Sequence, residues 1–225
     1  MRDEGSRPSL FEELARIGKA LGNGKRLEII EVLAQGPRGV VELAKAAGLH
    51  VTTTSAHLQT LKHAGLVSAE RDGTTIRYSL ASNRVAALYS QLLEVATAQL
   101  ADVDTAARRY LGPDDTEAIG RDELVRRVSA GEAILVDVRP AVEYAVGHIP
   151  GAQSIPLDEL VDRLEELPPE LEVVAYCRGV YCAFSHDAIR LLTAHGRRAV
   201  RLAEGILEWQ VAGHPIVTEN QEDGT

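Results

Sequence analysis

The chain has 225 residues, a hydrophobic content of 45% and a formal net charge of −9. That length has room for two domains, and no apolar run is long enough to span a bilayer. Because Met1-Arg2-Asp3-Glu4-Gly5 is not an apolar signal segment, we expect a cytoplasmic protein whose two cysteines serve catalysis, redox chemistry or metal binding rather than a permanent disulfide.

The charge is divided unevenly along the chain. Residues 1–112 contain 14 Lys and Arg against 12 Asp and Glu, whereas residues 113–225 contain 10 against 21. Such a shift marks a domain boundary, and only the first half can approach nucleic-acid phosphates. We therefore predict one domain at 1–110, a linker at 111–116 and a second domain at 117–225.

Residues 9–110 show mainly helical patterns. Two helices are followed by a short one at 41–47, another at 52–63, a β-hairpin around Asp72-Gly73 and a long helix at 83–110. Apolar residues recur along the last helix at a spacing that requires a helical partner: Val85, Leu88, Leu92 and Val95.

This order of elements predicts a winged helix-turn-helix. The stretch from Thr52 to Val67, TTTSAHLQTLKHAGLV, resembles the recognition helix and wing entry of the ArsR-type repressors, and the resemblance covers residues 9–105. It implies a mainly α-helical DNA-binding domain, a homodimer formed through the first and last helices, and double-stranded operator DNA as the partner.

The recognition helix and the wing supply the candidate DNA contacts. A hydroxyl at a helix N-terminus can bond phosphate or a base edge, but it can equally cap the helix, and both readings stay open for each one. The candidates are Thr52, Thr53, Thr54, Ser55, His57, Gln59, Lys62, Arg71, Thr75 and Arg77.

The places where ArsR-type repressors often hold metals are empty of suitable ligands. The third helix, Val41–Ala47, has no cysteine, and the last helix, 83–110, has no histidine. Since zinc or arsenite requires several thiolate or imidazole ligands, we expect no metal and no cofactor, and sensing must come from elsewhere in the chain.

The second half alternates strands with helices. Apolar runs at 133–138, 172–177 and 199–202 alternate with helical patterns at 122–130, 158–166, 183–195 and 205–212. This alternation predicts an α/β fold with a parallel sheet flanked by helices.

Both cysteines lie in one loop, Cys177-Arg178-Gly179-Val180-Tyr181-Cys182, between a predicted strand and a predicted helix. Backbone N–H groups of such a loop, with the N-terminus of the following helix, stabilise a thiolate. A stabilised thiolate has a lowered pKa and is a nucleophile.

Four motifs resemble the rhodanese domain over residues 117–217. They are VDVRP at 136–140 with Glu143-Tyr144, GHIPGA at 147–152, YCRG at 176–179, and GILEW at 205–209 with AGHP at 212–215. The resemblance implies that Cys177 accepts a sulfane sulfur as a persulfide within the loop of Arg178, Gly179, Val180 and Tyr181. Rhodanese-fold phosphatases close a longer loop with an arginine, which is absent here, so phosphate-ester chemistry is disfavoured.

Cys182 has two readings, whereas four polar residues of the motifs are assigned a structural role. Cys182 could resolve a modified Cys177 by forming a disulfide, or it could be a small packing residue. We interpret Asp137, Arg139, Glu143 and His148 as a structural frame beneath the loop.

Three functions remain open. The first is a repressor whose rhodanese domain senses sulfane sulfur or redox state through Cys177. The second is a sulfurtransferase that passes sulfur from thiosulfate or a persulfide to a thiol acceptor and carries an autoregulatory DNA-binding domain. The third is an inert docking module. None of the three involves a membrane.

Overall fold

The computed structural model describes residues 6–113 and 115–219, and the chain divides into two compact units between Gln91 and Leu92. Asp114 of the predicted linker and the ends of the two predicted domains, 1–5 and 220–225, lie outside the described residues. Within the described ranges, no helix has the length and apolar character needed to cross a bilayer.

The first unit is a winged helix-turn-helix. Its elements are α1 (Ser6–Leu21), α2 (Gly24–Leu33), β1 (Arg38–Gly39), α3 (Val40–Ala46), α4 (Val51–His63), β2 (Val67–Asp72), β3 (Thr75–Leu80) and the start of α5 (Asn83–Gln99). Leu58 and Leu61 of α4 are fully buried with Ile29, Ile30 and Leu43 of the preceding helices. Burial of these side chains fixes α4 on the unit and turns its opposite face outward.

The wing is a hairpin with a third strand at its edge. β2 and β3 pair antiparallel, with Asp72 opposite Thr75, so the two-residue turn is Gly73-Thr74 rather than Asp72-Gly73. Gly73 has a φ of +60°, which explains why glycine occupies this turn. β1 pairs antiparallel with β3 and was not expected, since two residues are too short for a pattern.

The predicted helix at 83–110 is two helices. α5 ends at Gln99, Leu100 is extended, and α6 (Ala101–Leu111) begins directly after it. The prediction of one continuous helix was therefore wrong. Asp102 and Asp104 lie in the first turn of α6, where their carboxylates stabilise the N-terminus of the new helix.

The second unit contains the end of α5, α6 and an α/β fold. The further elements are β4 (Ala118–Ile119), α7 (Arg121–Ser129), β5 (Ala133–Asp137), α8 (Ala141–Tyr144), β6 (Gln153–Ser154), β7 (Glu172–Tyr176), α9 (Ala183–Ala194), β8 (Ala199–Leu202) and α10 (Ile206–Val211). The helix predicted at 158–166 is instead a series of turns that ends in a 3₁₀ turn at Leu164–Glu166.

A five-stranded parallel sheet organises the α/β fold, with the order β4-β8-β7-β5-β6. Side chains of central β7 alternate between two cores: Val174 and Tyr176 enter one, and Val173 and Ala175 enter the other with Cys177. Because parallel strands end at the same edge, the residues that follow β5 and β7 lie close together.

Candidate functional sites: a nucleic-acid interface and a cysteine loop

The outward face of α4 carries most of the predicted DNA contacts. Thr52, Thr53, Gln59 and Lys62 are exposed, and Ser55 and His57 are partly exposed. A helix with this pattern can present polar side chains to the major groove while its apolar side stays packed.

Thr54 does not belong to this face. Its side chain is 0% exposed, and its hydroxyl donates to the carbonyl oxygen of His50 at 3.1 Å. Thr54 lies on the same face of α4 as the buried residues Leu58 and Leu61. We therefore remove Thr54 from the candidate DNA contacts and assign it to the packed side of the helix.

Arg71 and Arg77 of the wing differ in exposure and in the groups to which they donate. Arg71 is exposed and donates to the carbonyl of Gly73 within the hairpin, and Thr75 is exposed nearby. Arg77 is partly buried and donates to the carbonyl of Pro37 at 2.8 Å. Arg71 and Thr75 are therefore presented at the tip, whereas Arg77 also fixes the wing to the segment before β1.

The cysteine loop begins where β7 ends and closes at the start of α9. Cys177 is 2% exposed and Cys182 is 7% exposed. The Cys182 N–H donates to the Gly179 carbonyl at 3.0 Å, and Cys182 is the N-cap residue of α9. The loop therefore ends at the N-terminus of α9, which is the positive end of its helix dipole.

Cys177 and Cys182 are joined in a disulfide, with their Cα atoms 6.1 Å apart. This separation lies in the range of ordinary disulfides. The two sulfur atoms can therefore bond directly within the folded loop, although the sequence in a cytoplasmic setting argued against a lasting bond.

A buried ionic network lies beneath the loop. Arg139 and Asp137 are 1% and 0% exposed, and the Arg139 Nε donates to the Asp137 carboxylate at 2.9 Å. Tyr176 donates its hydroxyl to the same carboxylate at 2.6 Å, and burial raises the pKa of Tyr176 well above its usual value. The Arg139 guanidinium also donates to the Gly147 carbonyl at 2.8 Å.

Glu143 and His148 differ in their relation to the loop. Both carboxylate oxygens of Glu143 accept from the Arg178 guanidinium, at 2.7 and 2.9 Å, so Glu143 contacts the loop directly. His148 is fully buried, stacks on the Tyr144 ring with centroids 3.5 Å apart, and bonds the Tyr144 carbonyl through Nδ1. His148 therefore holds the segment after α8 rather than the loop.

Gly205 and Glu208, which the sequence offered only as members of the GILEW motif and not as site residues, support the loop from α10. A Cβ on Gly205 would lie 2.3 Å from the Gly179 nitrogen, so the two backbones are in direct contact. The N–H groups of Ile206 and Leu207 donate to the carbonyls of Cys177 and Arg178, both at 3.0 Å. α10 therefore fixes the loop through its own first turn.

Glu208 is the second of these residues. Its carboxylate accepts the Gly205 N–H at 2.8 Å and lies 3.2 Å from where a Gly179 Cβ would stand. Burial raises the pKa of Glu208, opposed by hydrogen bonds from the N–H groups of Gly205, Glu208 and Val180. A glutamate three residues after the N-cap, where its carboxylate can accept the N-cap N–H, was the sequence signal available for it.

Gly205→Ala should destabilise the second unit by about 1–3 kcal/mol and slow closure of the disulfide, because the new methyl group collides with the loop backbone. Thermal unfolding and thiol titration measure the two effects. Gly120→Ala is the matched control, because Gly120 is also a helix N-cap but has no atom within 4 Å of its Cβ position. Equal destabilisation by both changes would contradict the assigned contact.

In the part of the chain that the structure describes, no three His, Cys, Asp or Glu side chains are grouped to hold a metal ion.

A winged helix-turn-helix with an exposed recognition helix, followed by a parallel α/β fold with a cysteine loop, defines a DNA-binding regulator with a rhodanese-like domain. Residues 23–69 match the model of the bacterial regulatory protein arsR family, and residues 120–212 match that of the rhodanese-like domain. The HTH-type transcriptional regulator Rv0324 of Mycobacterium tuberculosis is 52% identical over 209 residues, covering 92% of each chain. This chain therefore belongs to the ArsR-type regulators that carry a C-terminal rhodanese-like domain.

Each half also has its own relatives. A sulfurtransferase of Allochromatium vinosum is 32% identical over 103 residues, which cover 46% of this chain and 92% of that protein. The solution structure of a homodimeric winged helix-turn-helix DNA-binding domain from Mycobacterium bovis is 44% identical, with a TM-score of 0.42, and covers 44% of this chain and 93% of that one.

Proposed function

We propose that this regulator is a repressor that senses sulfane sulfur or redox state through a persulfide on Cys177, which Cys182 resolves. The observation that carries the proposal is the Cys177–Cys182 bond in a loop between a buried strand and a helix N-terminus. A loop that brings two thiols into bonding contact has an oxidised and a reduced state, which is what a sensor requires.

The chemistry takes two steps. The Cys177 thiolate attacks the outer sulfur of a persulfide RSSH, forming Cys177–S–SH and releasing RS⁻. The Cys182 thiolate then attacks the inner sulfur of Cys177, forming the disulfide and releasing HS⁻. Two thiols are oxidised and the transferred sulfur leaves reduced to sulfide.

In this proposal the winged-helix half binds DNA, and its DNA affinity changes when Cys177 is modified. We propose that it binds double-stranded operator DNA as a homodimer, with Thr52, Thr53, Ser55, His57, Gln59 and Lys62 of α4 facing the major groove. Leu10, Phe11, Leu14 and Ile17 are exposed along α1, and Leu88 is exposed on α5. A second copy of the chain would cover this apolar surface, consistent with a dimer formed through the first and last helices.

A hydrogen bond links the loop to α5 within the second unit. The Tyr181 hydroxyl lies 2.5 Å from the Thr97 hydroxyl, which itself bonds the Leu93 carbonyl at 2.8 Å. Because the Thr97 hydrogen is used by Leu93, Tyr181 is the donor. α5 begins at Asn83 in the first unit, so a loop rearrangement that moves Tyr181 acts on the end of a helix shared by both halves.

Tyr181→Phe should leave the sulfur modification of Cys177 intact and reduce its effect on DNA affinity by about fivefold or more, within the usual range of coupling between sites. Intact-mass analysis and DNA titration on the same samples give the two readouts. Tyr110→Phe, which removes an exposed hydroxyl from α6, is the control. A Tyr181→Phe protein whose DNA response equals that of the wild type would exclude this link.

The first experiment treats the reduced protein with a polysulfide, maps added sulfur by peptide mass and titrates promoter DNA with the same samples. Modification of Cys177, or a Cys177–Cys182 link, accompanied by changed DNA affinity would support the sensor. Modification with unchanged affinity and turnover to a thiol acceptor would favour the sulfurtransferase, a function for which the similarity to the Allochromatium vinosum protein is the supporting observation. An unmodified protein would contradict both.

A further inference from the structure

The only basic side chain in the loop is already engaged. Between Cys177 and Cys182, Arg178 is the single Lys or Arg. Its guanidinium makes a two-pronged bond with the Glu143 carboxylate and lies 5.4 Å from the centroid of the Phe184 ring. Its charge is therefore compensated within the folded protein, and its fork of N–H groups is directed at a carboxylate rather than at an incoming ligand.

The residues after the loop add no cation to the rim. Cys182 is followed by Ala183-Phe184-Ser185-His186-Asp187, and His186 is buried with its ring nitrogen 3.1 Å from the Thr116 hydroxyl. The next arginine along the chain, Arg190, donates to the carbonyls of Leu111 and Pro113 and pairs with Asp115 and Asp187. Arg190 thus attaches the segment after α6 to α9 and is not directed to the cysteines.

Glu208 places a carboxyl group on the other side of the loop. Its carboxylate lies against Gly179 and accepts the Val180 N–H. A loop N–H that would otherwise stabilise a bound anion is thereby used by a carboxylate of the protein. Among the described residues, the Arg178 guanidinium is already paired with Glu143, so it does not offset the Glu208 carboxylate that lies against Gly179.

We infer that Glu208 and the Arg178–Glu143 pair make this loop select sulfane-sulfur compounds with at most one negative charge, such as hydropolysulfide or a small organic hydropersulfide, and reject the thiosulfate dianion. The inference rests on the proposed function, since it concerns which sulfur donor reaches Cys177. The physical basis is Coulombic: repulsion by a fixed carboxylate doubles when the approaching ion carries two charges instead of one.

Both sulfur donors have a balanced reaction with the Cys177 thiolate. With thiosulfate, the Cys177 thiolate attacks the outer sulfur, forms Cys177–S–S⁻ and expels sulfite. With hydrodisulfide, the same attack forms Cys177–S–S⁻ and expels HS⁻. The covalent product is identical, but the two reactions differ both in the leaving group and in the charge that must enter the loop. The effect of charge is therefore measured by comparing the Glu208→Gln variant with the wild type for each sulfur donor.

The test measures the rate at which the fully reduced protein gains sulfur on Cys177 from sodium disulfide and from thiosulfate at equal concentrations. For the wild type we expect the disulfide reaction to be at least about 100-fold faster. Glu208→Gln should raise the thiosulfate rate about tenfold and the disulfide rate by less, since a loss of about 1.4 kcal/mol of repulsion corresponds to a factor of ten. Glu165→Gln, at an exposed carboxylate outside the loop, should change neither rate.

A second measurement needs no variant. If repulsion limits the thiosulfate reaction, added salt should speed it in the wild type, because screening weakens interactions between like charges. Wild-type rates that are equal for the two sulfur donors, or a Glu208→Gln change that raises both rates by the same factor, would overturn this inference alone. A Cys177 that reacts with neither compound would overturn the proposed function as well.

Discussion

Cys177→Ser should abolish the response to sulfane sulfur while leaving DNA binding by the untreated protein unchanged. The serine hydroxyl is not a nucleophile under these conditions, and the position lies in the second unit, whereas the candidate DNA contacts of α4 belong to the first. We expect a donor-induced change in DNA affinity of about 5–150-fold in the wild type, the usual range for coupled sites, and a change below about twofold in the variant. Titration of operator DNA with and without polysulfide measures both.

Cys182→Ser is the matched control for that result. It removes the second thiol of the same loop but keeps Cys177, so the protein should gain one sulfur and retain it as a persulfide instead of closing a disulfide. Peptide mass distinguishes the two products. If Cys177→Ser and the wild type responded equally to polysulfide, the sensing role of Cys177 would be excluded.

Asp137→Ala should destabilise the second unit by about 3–5 kcal/mol, the usual cost of removing one partner from a buried ion pair. The substitution leaves the Arg139 guanidinium, 1% exposed, without the carboxylate that accepts its Nε hydrogen, and it also removes the acceptor of the Tyr176 hydroxyl. Denaturant unfolding followed by circular dichroism measures the loss.

Asp187→Ala provides the comparison at the surface. Asp187 pairs with Arg190 at 3.2 Å, but its side chain is 51% exposed, so water replaces the lost partner. We expect a change within about 0.5 kcal/mol. Similar losses for the two variants would mean that burial does not govern the Asp137 pair and that the network beneath the loop is less important than its geometry indicates.

The elements predicted well were those with strong local signals. Gly73 is required by the tight turn of the wing, and β5 and β7 each contain an uninterrupted apolar run. By contrast, the two-residue strands β1, β4 and β6 exist only because longer neighbours pair with them, and no local pattern encodes them. The break at Leu100 interrupts a helical periodicity that continues on both sides of it.

In the candidate sites, too, features with a local sequence signal could be predicted, and those that depend on long-range packing could not. The position of Cys177 between a strand and a helix was predicted correctly, since that depends on neighbouring residues alone, whereas its role stays a prediction. The contribution of Gly205 and Glu208 depends on α10 packing against the loop, a contact across about 30 positions of sequence that no single pattern contains. Thr54 was assigned to DNA because it resembles its neighbours, and only the packing of α4 turned it inward.

The short spacing of the two cysteines has a consequence for folding. A disulfide stabilises a protein mainly by restricting the unfolded chain, and the effect grows with the logarithm of the enclosed length. Cys177 and Cys182 are separated by only five positions, so their bond contributes about 2 kcal/mol, less than half of what a 100-residue loop would give. The chain can therefore lose this bond and stay folded. Reduction of the disulfide then returns Cys177 and Cys182 to thiols without unfolding the protein.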